Sequence, residues 1–164
     1  MKNISLTIRA IEQNDFADWK VLYRKYLAFY KTELTDSQLE TLWYRFFDTE
    51  KQMQSNVALH ENKIIGLVHF REFFRPIKAA TAIFMDDLYV ETAYRGKGVA
   101  RSLIKSVNDY ALTKQISLVR WATAHDNHEA MQLYDKVATQ TQWKIYDMVV
   151  AYHENPFLNV SFKQ

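Results

Sequence analysis

The stretch Ala82–Tyr110 reads AIFMDDLYV, then ETAYRGKGVA, then RSLIKSVNDY, and it decides the fold. Its first part mixes aromatic and aliphatic residues at short spacing with two carboxylates, Asp86 and Asp87, and predicts a strand. Its last part predicts a helix, because Val99, Ala100, Leu103, Ile104, Val107, Tyr110 and Ala111 recur at three- and four-residue steps. Between them stands Arg95-Gly96-Lys97-Gly98, which uses two of the three glycines in the chain. A helix that starts straight after such a turn presents unpaired N–H groups and the positive end of its dipole. Glycines let a large anion approach the backbone. Arg95, Lys97 and Arg101 add full charges. The element is a phosphate cradle.

The motif narrows which phosphate. A Walker A loop does not match, and the dinucleotide fingerprint fails at its third glycine, where Arg101 stands. No acidic residue about 20 positions further on is placed to hold a ribose. What remains is Arg95-Gly96-Lys97-Gly98-Val99-Ala100, the pattern R-x-x-G-x-A. The plain alternative is a basic turn ahead of a helix.

Composition sets wider bounds. At 164 residues one domain, 1–164, is the natural expectation. A 48% hydrophobic and 15% aromatic content is ample for a core. A net charge of +2 is too small to argue for direct nucleic-acid binding. The chain has no cysteine, which rules out disulfides, a thiolate nucleophile and a thiolate metal site, and fits a cytoplasmic setting. No apolar run approaches the roughly 20 residues of a membrane span. The N-terminus lacks the apolar segment of a signal peptide.

Around the central stretch, Leu6–Arg9 reads as a strand, and Asn14-Asp15 as the cap of a helix over Phe16–Tyr30. A second helix is expected over Ser37–Phe47, and two such aromatic helices over a sheet are expected to leave an amphipathic groove where they meet. Asn56–His60 and Ile64–Glu72 read as a hairpin, with Gly66 marking a bulge or close backbone approach. Ser117–Ala122 follows as a strand. His128–Val137 is a helix directing Ala130, Met131, Leu133, Tyr134 and Val137 inward, and Trp143–Tyr152 is a last strand. The fold class is therefore α/β, a mixed sheet with about four helices on its faces and one right-handed parallel crossover.

Two segments carry a resemblance. Asp86-Asp87-Leu88-Tyr89-Val90 followed by Arg95–Ala100 resembles the central motif of the GCN5-related N-acetyltransferase (GNAT) superfamily, whose loop holds the pyrophosphate of acetyl-coenzyme A. Asp126–Lys136 (DNHEAMQLYDK) resembles its next motif, N-x-x-A-x-x-L-Y-x-K. Asn14, Asp15, Trp19, Leu22, Tyr23, Tyr26, Phe29 and Tyr30, with Ile64–Phe70, are similar to the Hpa branch, named for histone and polyamine acetylation. Val137-Ala138-Thr139 departs from the glycine and aromatic that usually follow.

The resemblance implies acetyl transfer from acetyl-CoA to a primary amine, polyamine or lysine-like. Tyr134 would be the acid for the departing thiolate, with core packing as its plain alternative. Asp86 would be general base or anchor for a cationic substrate, or else a solvated carboxylate. Strand alternation places Asp86 and Asp87 on opposite faces. Leu88, Tyr89 and Val90 would offer backbone groups to the oxyanion and the pantetheine arm, where the strand bulges. Arg95, Gly96, Lys97, Gly98, Val99, Ala100 and Arg101 would hold the pyrophosphate, and Asn127 would reach the cofactor arm or simply cap a helix. Glu33, Asp36, Glu40, Asp86, Asp87 and Glu91 are candidates for an acidic rim. His125 and His128 have no second ligand cluster, so no metal is expected. Aminoglycosides and amino acids stay open as substrates, as does a non-catalytic acyl-CoA sensor. The Hpa likeness also implies a homodimer or higher homo-oligomer, paired through the last strand and tail.

Overall fold

The computed structural model describes residues 4–50 and 53–148. In order it contains β1 (Thr7–Ala10), α1 (Phe16–Phe29), α2 (Asp36–Arg45), β2 (Met53–His60), β3 (Lys63–Arg75), β4 (Ala80–Val90), α3 (Val99–Thr113), β5 (Val119–Arg120) and α4 (His128–Val137). The described residues up to Asn127 form one compact unit and those from His128 another.

The sheet order is β1-β2-β3-β4-β5. The first three pairings are antiparallel, and β4 and β5 are parallel. The parallel pair needs a crossover, which α3 supplies. This is the mixed sheet that strand–turn–helix–strand implied.

The two faces are buried by different helices. On one, Trp19, Leu22, Tyr23 and Leu27 of α1 and Leu39 and Trp43 of α2 form a single core with Val57, Leu67 and Tyr89. Aromatic rings pack where α1 meets α2. Trp43 sits 5.1 Å from both Phe16 and Trp19, and Phe46 sits 5.8 Å from Trp19. Aromatic rings this large interlock where smaller side chains would leave a cleft. On the other face α3 buries Val99, Leu103, Ile104, Val107 and Ala111, the stripe its periodicity predicts.

Helix starts follow local chemistry. Thr35 and Gln38 form a reciprocal capping box at α2. Asp15 occupies the cap position of α1, but its carboxylate makes no cap bond there. It accepts Arg9 Nη1 at 2.6 Å and Nη2 at 2.9 Å, and the Glu12 N–H at 2.8 Å, tying β1 to the turn before α1.

Gly66 marks both features expected of it. The β2–β3 register slips between Ala58 and Leu59, opposite Gly66 and Ile64. A Cβ at Gly66 would lie 3.1 Å from Leu103 Cδ1 and from the Tyr89 carbonyl.

Three expectations need correction. The strand expected over 117–122 pairs only at Val119 and Arg120. Val137 is exposed. Residues 143–148 form no strand, and Trp143 and Tyr146 are exposed. The rest of that segment and the tail, on which the homodimer expectation rested, lie outside the described residues.

Candidate active site

A bulge builds the centre of the site. β3 and β4 pair His69 with Asp87, and the next pair is Phe70 with Met85. Asp86 is the extra residue, looped out of the ladder. Residues two apart on a strand share a face, so His69 and Arg71 do. His69 Nδ1 lies 2.8 Å from Asp87 Oδ2, and Arg71 Nε donates to Asp86 Oδ1 at 3.1 Å. Both carboxylates therefore project to the α1 face. Simple alternation had put them on opposite faces, but one inserted residue cancels one step of alternation.

The two carboxylates are driven apart in proton affinity. Burial pushes the Asp86 carboxyl above its ordinary value, and the neighbouring Asp87 charge pushes the same way against the pull of Arg71. Among the described residues, Asp86 Oδ2 is buried without a hydrogen-bond partner. Burial also pushes Asp87 upward, yet bonds from His69, then Tyr26 and Tyr23, outweigh it and hold Asp87 below the usual carboxylate range. Tyr23 Oη donates to Asp87 Oδ2 at 3.2 Å. The same carboxylate and burial raise the phenols of Tyr23 and Tyr26 far above ordinary, so both stay protonated as donors.

A buried relay stands behind Asp87. His69 is fully enclosed, and its Nε2 accepts from Trp19 Nε1 at 3.0 Å. Sequence reasoning weighed only His125 and His128, which are exposed. A histidine sharing a strand face with Leu67 was the available sign.

The loop before α3 has the expected form. Gly96 and Gly98 have φ of 71° and 84°, left-handed values that disfavour any Cβ, although a Cβ at either would meet nothing within 4 Å. Gly98 is the N-cap residue, and Ser102 N–H to the Gly98 carbonyl is the first bond of α3. The N–H groups of Val99, Ala100 and Arg101 stand ahead of it, unpaired within the helix. Arg95 Nε donates to the Val90 carbonyl at 3.2 Å, with its guanidinium over the rings of Tyr89 and Phe29. Lys97 Nζ donates to the Ala93 carbonyl at 2.9 Å. Open space over left-handed glycines, helix-end amides and two anchored cations fit the diphosphate of coenzyme A.

β4 is also open on one side. β5 pairs with it only at Ile83 and Phe84. Beyond Met85, among the described residues, the β5 side of Leu88, Tyr89 and Val90 has no strand partner. Every second residue there offers its N–H outward.

Other expected site residues fall elsewhere. Glu33 is exposed in the α1–α2 connection, and no described hydrogen bond or ion pair joins it to the carboxylate pair. The acidic rim is partly neutralised, since Asp36 pairs with Lys20 and Arg24 and Glu91 with Lys25. Asn127 is half-buried, and its Nδ2 donates to Thr123 Oγ1 at 3.0 Å. Within the second unit Tyr134 is half-buried on the α4 stripe with Ala130, Met131 and Leu133. Among the described residues no three His, Asp or Glu side chains gather as a metal site, and no helix is long and apolar enough to cross a membrane.

Comparison with known proteins bears on the family and the fold. The D-amino-acid N-acetyltransferase HPA3 of Saccharomyces cerevisiae is 32% identical over 148 residues, covering 89% of this chain and 92% of that protein. A thialysine N-epsilon-acetyltransferase of Bos taurus is 40% identical over 58 residues, about a third of each chain (35% and 34%). The crystal structure of a ribosomal-protein-alanine N-acetyltransferase from Brucella melitensis superposes with a TM-score of 0.74 at 20% identity, covering 90% of this chain and all of that one. The profile of the Acetyltransferase (GNAT) family matches residues 19–138, from α1 through the end of α4. The chain belongs to the GNAT acetyltransferases, in their Hpa-like branch, and is an acetyl-CoA-dependent amine N-acetyltransferase.

Proposed function

We propose that the Asp86–Asp87 face receives a primary amine and prepares it for direct acetylation. The observation that carries this is the bulge, which sets two carboxylates of opposed proton affinity side by side. Paired groups pushed apart in this way divide acid–base labour. Asp87, held charged, attracts the ammonium form. Asp86, whose second oxygen lacks a partner, takes the proton, directly or through one water.

Bound acetyl-CoA supplies an acyl carbonyl activated as a thioester. Arg95, Gly96, Lys97, Gly98, Val99, Ala100 and Arg101 hold its diphosphate, and Asn127 its arm. Backbone groups of Leu88, Tyr89 and Val90 bind the pantetheine, and the Leu88 N–H meets the charge that develops on the carbonyl oxygen. The amine nitrogen would bond to the acyl carbon and lose its second proton to solvent as the carbon–sulfur bond broke, and Tyr134, the tyrosine of the L-Y-x-K segment, would give the sulfur its proton. No cysteine is present to carry the acetyl group between them.

A lysine-like, polyamine or amino-acid amine is the favoured acceptor. The thialysine and D-amino-acid relatives support that range. The reading also takes the protein as a cytoplasmic homodimer; a monomer in sedimentation at working concentration would remove its second half. Asp86→Asn tests the chemistry. It should lower kcat/KM by about 10²–10⁴-fold and abolish the acid limb of the pH–rate profile, while coenzyme A still binds. A loss below about threefold would take the base role from Asp86.

A further inference from the structure

The reaction described above leaves one fully buried polar group unused, His69. An indole N–H can only donate, so the Nε2 that meets Trp19 must carry a lone pair. The proton then sits on Nδ1 and is donated to Asp87 Oδ2. A turned ring would face both partners with carbon. Phe46 at 4.6 Å and Tyr23 at 5.1 Å between ring centroids confine it. The chain Trp19–His69–Asp87 thus runs from the α1–α2 core to the carboxylate, with its direction set by an indole that cannot reverse.

We propose that Trp19 and His69 form a positioning relay that fixes Asp87 as an ammonium-binding carboxylate, so that recognition of the charged amine, and not of the acyl donor, depends on His69. This rests on the reading that the amine meets the Asp86–Asp87 face. The groups that face Asp87 are Tyr23, Tyr26 and Tyr30 from α1, His69 from β3, and Asp86 beside it on β4, itself paired with Arg71. Just beyond α2, the ring of Phe46 backs His69 without charge. Removing the imidazole leaves a largely buried carboxylate with phenolic donors alone. Its proton affinity then rises toward the working range, and the ammonium loses its counter-charge.

His69→Leu and His69→Asn separate this from a structural role, since the asparagine N–H stands about where Nδ1 stands. With thialysine, spermidine and D-phenylalanine as probes, His69→Leu should raise the amine KM about tenfold or more and move the acid limb of kcat/KM up by about one pH unit. The acetyl-CoA KM should stay within about twofold, roughly a third of a log unit against the full unit expected for the amine. His69→Asn should recover most of the loss. In nitrogen-15 spectra of the unliganded protein, His69 should carry its proton on Nδ1, and Trp19→Phe should release that preference. Amine and acetyl-CoA KM rising together, an Asn variant no better than Leu, or a proton on Nε2 would each overturn the relay. If the wild type acetylates none of the probes, the fault lies with the substrate reading. The carbon-13 titration of Asp87 still decides the relay then: a higher midpoint in His69→Leu supports it, and an unchanged midpoint refutes it. Should the Leu variant fail to fold, the same titration in His69→Asn and Trp19→Phe decides it.

Discussion

Gly66 lies where the sheet meets the start of α3, and replacing it tests that joint. A Cβ there would lie 3.1 Å from Leu103 Cδ1, 3.2 Å from Val99 Cγ1 and 3.1 Å from the Tyr89 carbonyl oxygen. Carbon atoms settle about 3.5–4.0 Å apart, so α3 must withdraw by a few tenths of an ångström or Leu103 must leave its rotamer. Overpacking of this kind costs about 1–3 kcal/mol. Alanine regains about 0.4–1 kcal/mol by restricting the unfolded chain, and Gly66 shows no left-handed φ to oppose it. The net for Gly66→Ala is a loss of about 1 kcal/mol, or about 2–4 °C in Tm for a chain of this size. Gly66→Val adds two methyls against the same wall and should lose about 3 kcal/mol, or about 6–12 °C. Val99 begins α3 directly after the glycine loop, so the displaced helix should also weaken coenzyme A binding severalfold. Thermal melting by circular dichroism and calorimetric titration with coenzyme A read both effects. A Gly66→Val protein that melts within about 2 °C of wild type and binds as tightly would show that α3 is not pinned there.

Three further outcomes follow from particular side chains. Gly98→Glu forces a left-handed residue at roughly 1–2 kcal/mol and sets a carboxylate where the diphosphate is expected. Coenzyme A should then give no heat, and retained heat would mean that the cradle is elsewhere. Tyr134→Phe should lower turnover by about 10²-fold at unchanged coenzyme A affinity; full turnover would end its role as acid. Arg9 holds Asp15 below its ordinary value, chiefly through their hydrogen bonds. A depressed carboxylate adds stability that is complete above its unfolded value of about 3.9 and is lost as pH falls through the folded one. Arg9→Ala should therefore cost about 1–2 kcal/mol at pH 7 and less near pH 2 in denaturant melts. An equal deficit at both pH values would contradict the assignment.

The stretch from Ala82 to Tyr110 was legible because local rules govern it: helical spacing fixes the buried face of α3, and two glycines fix its start. The α1 and α2 stripes were legible for the same reason. The bulge was not placed, because a one-residue register slip depends on what β3 offers across the ladder. That slip carried the largest error, the facing of Asp86 and Asp87. It also explains the short β5. Apolar residues run on through Trp121, but the ladder stops where β4 bends at Asp86. The His69 relay was invisible for a similar reason. Trp19 and His69 are fifty residues apart and meet only once α1 lies across the sheet. The apolar residues around Trp143 suggested a strand, but a strand needs a partner that sequence does not name.

The most direct measurement of the central claim follows thiol release from acetyl-CoA with thialysine, spermidine, a D-amino acid and an aminoglycoside, in wild type and Asp86→Asn side by side. Amine-dependent release by the wild type, with at least one lysine-like or amino-acid amine, and its collapse in the variant is the predicted result. Tight binding of the thioester with no amine-dependent release would make the protein a sensor of acyl-CoA, and equal release by both proteins would move the chemistry away from the bulge.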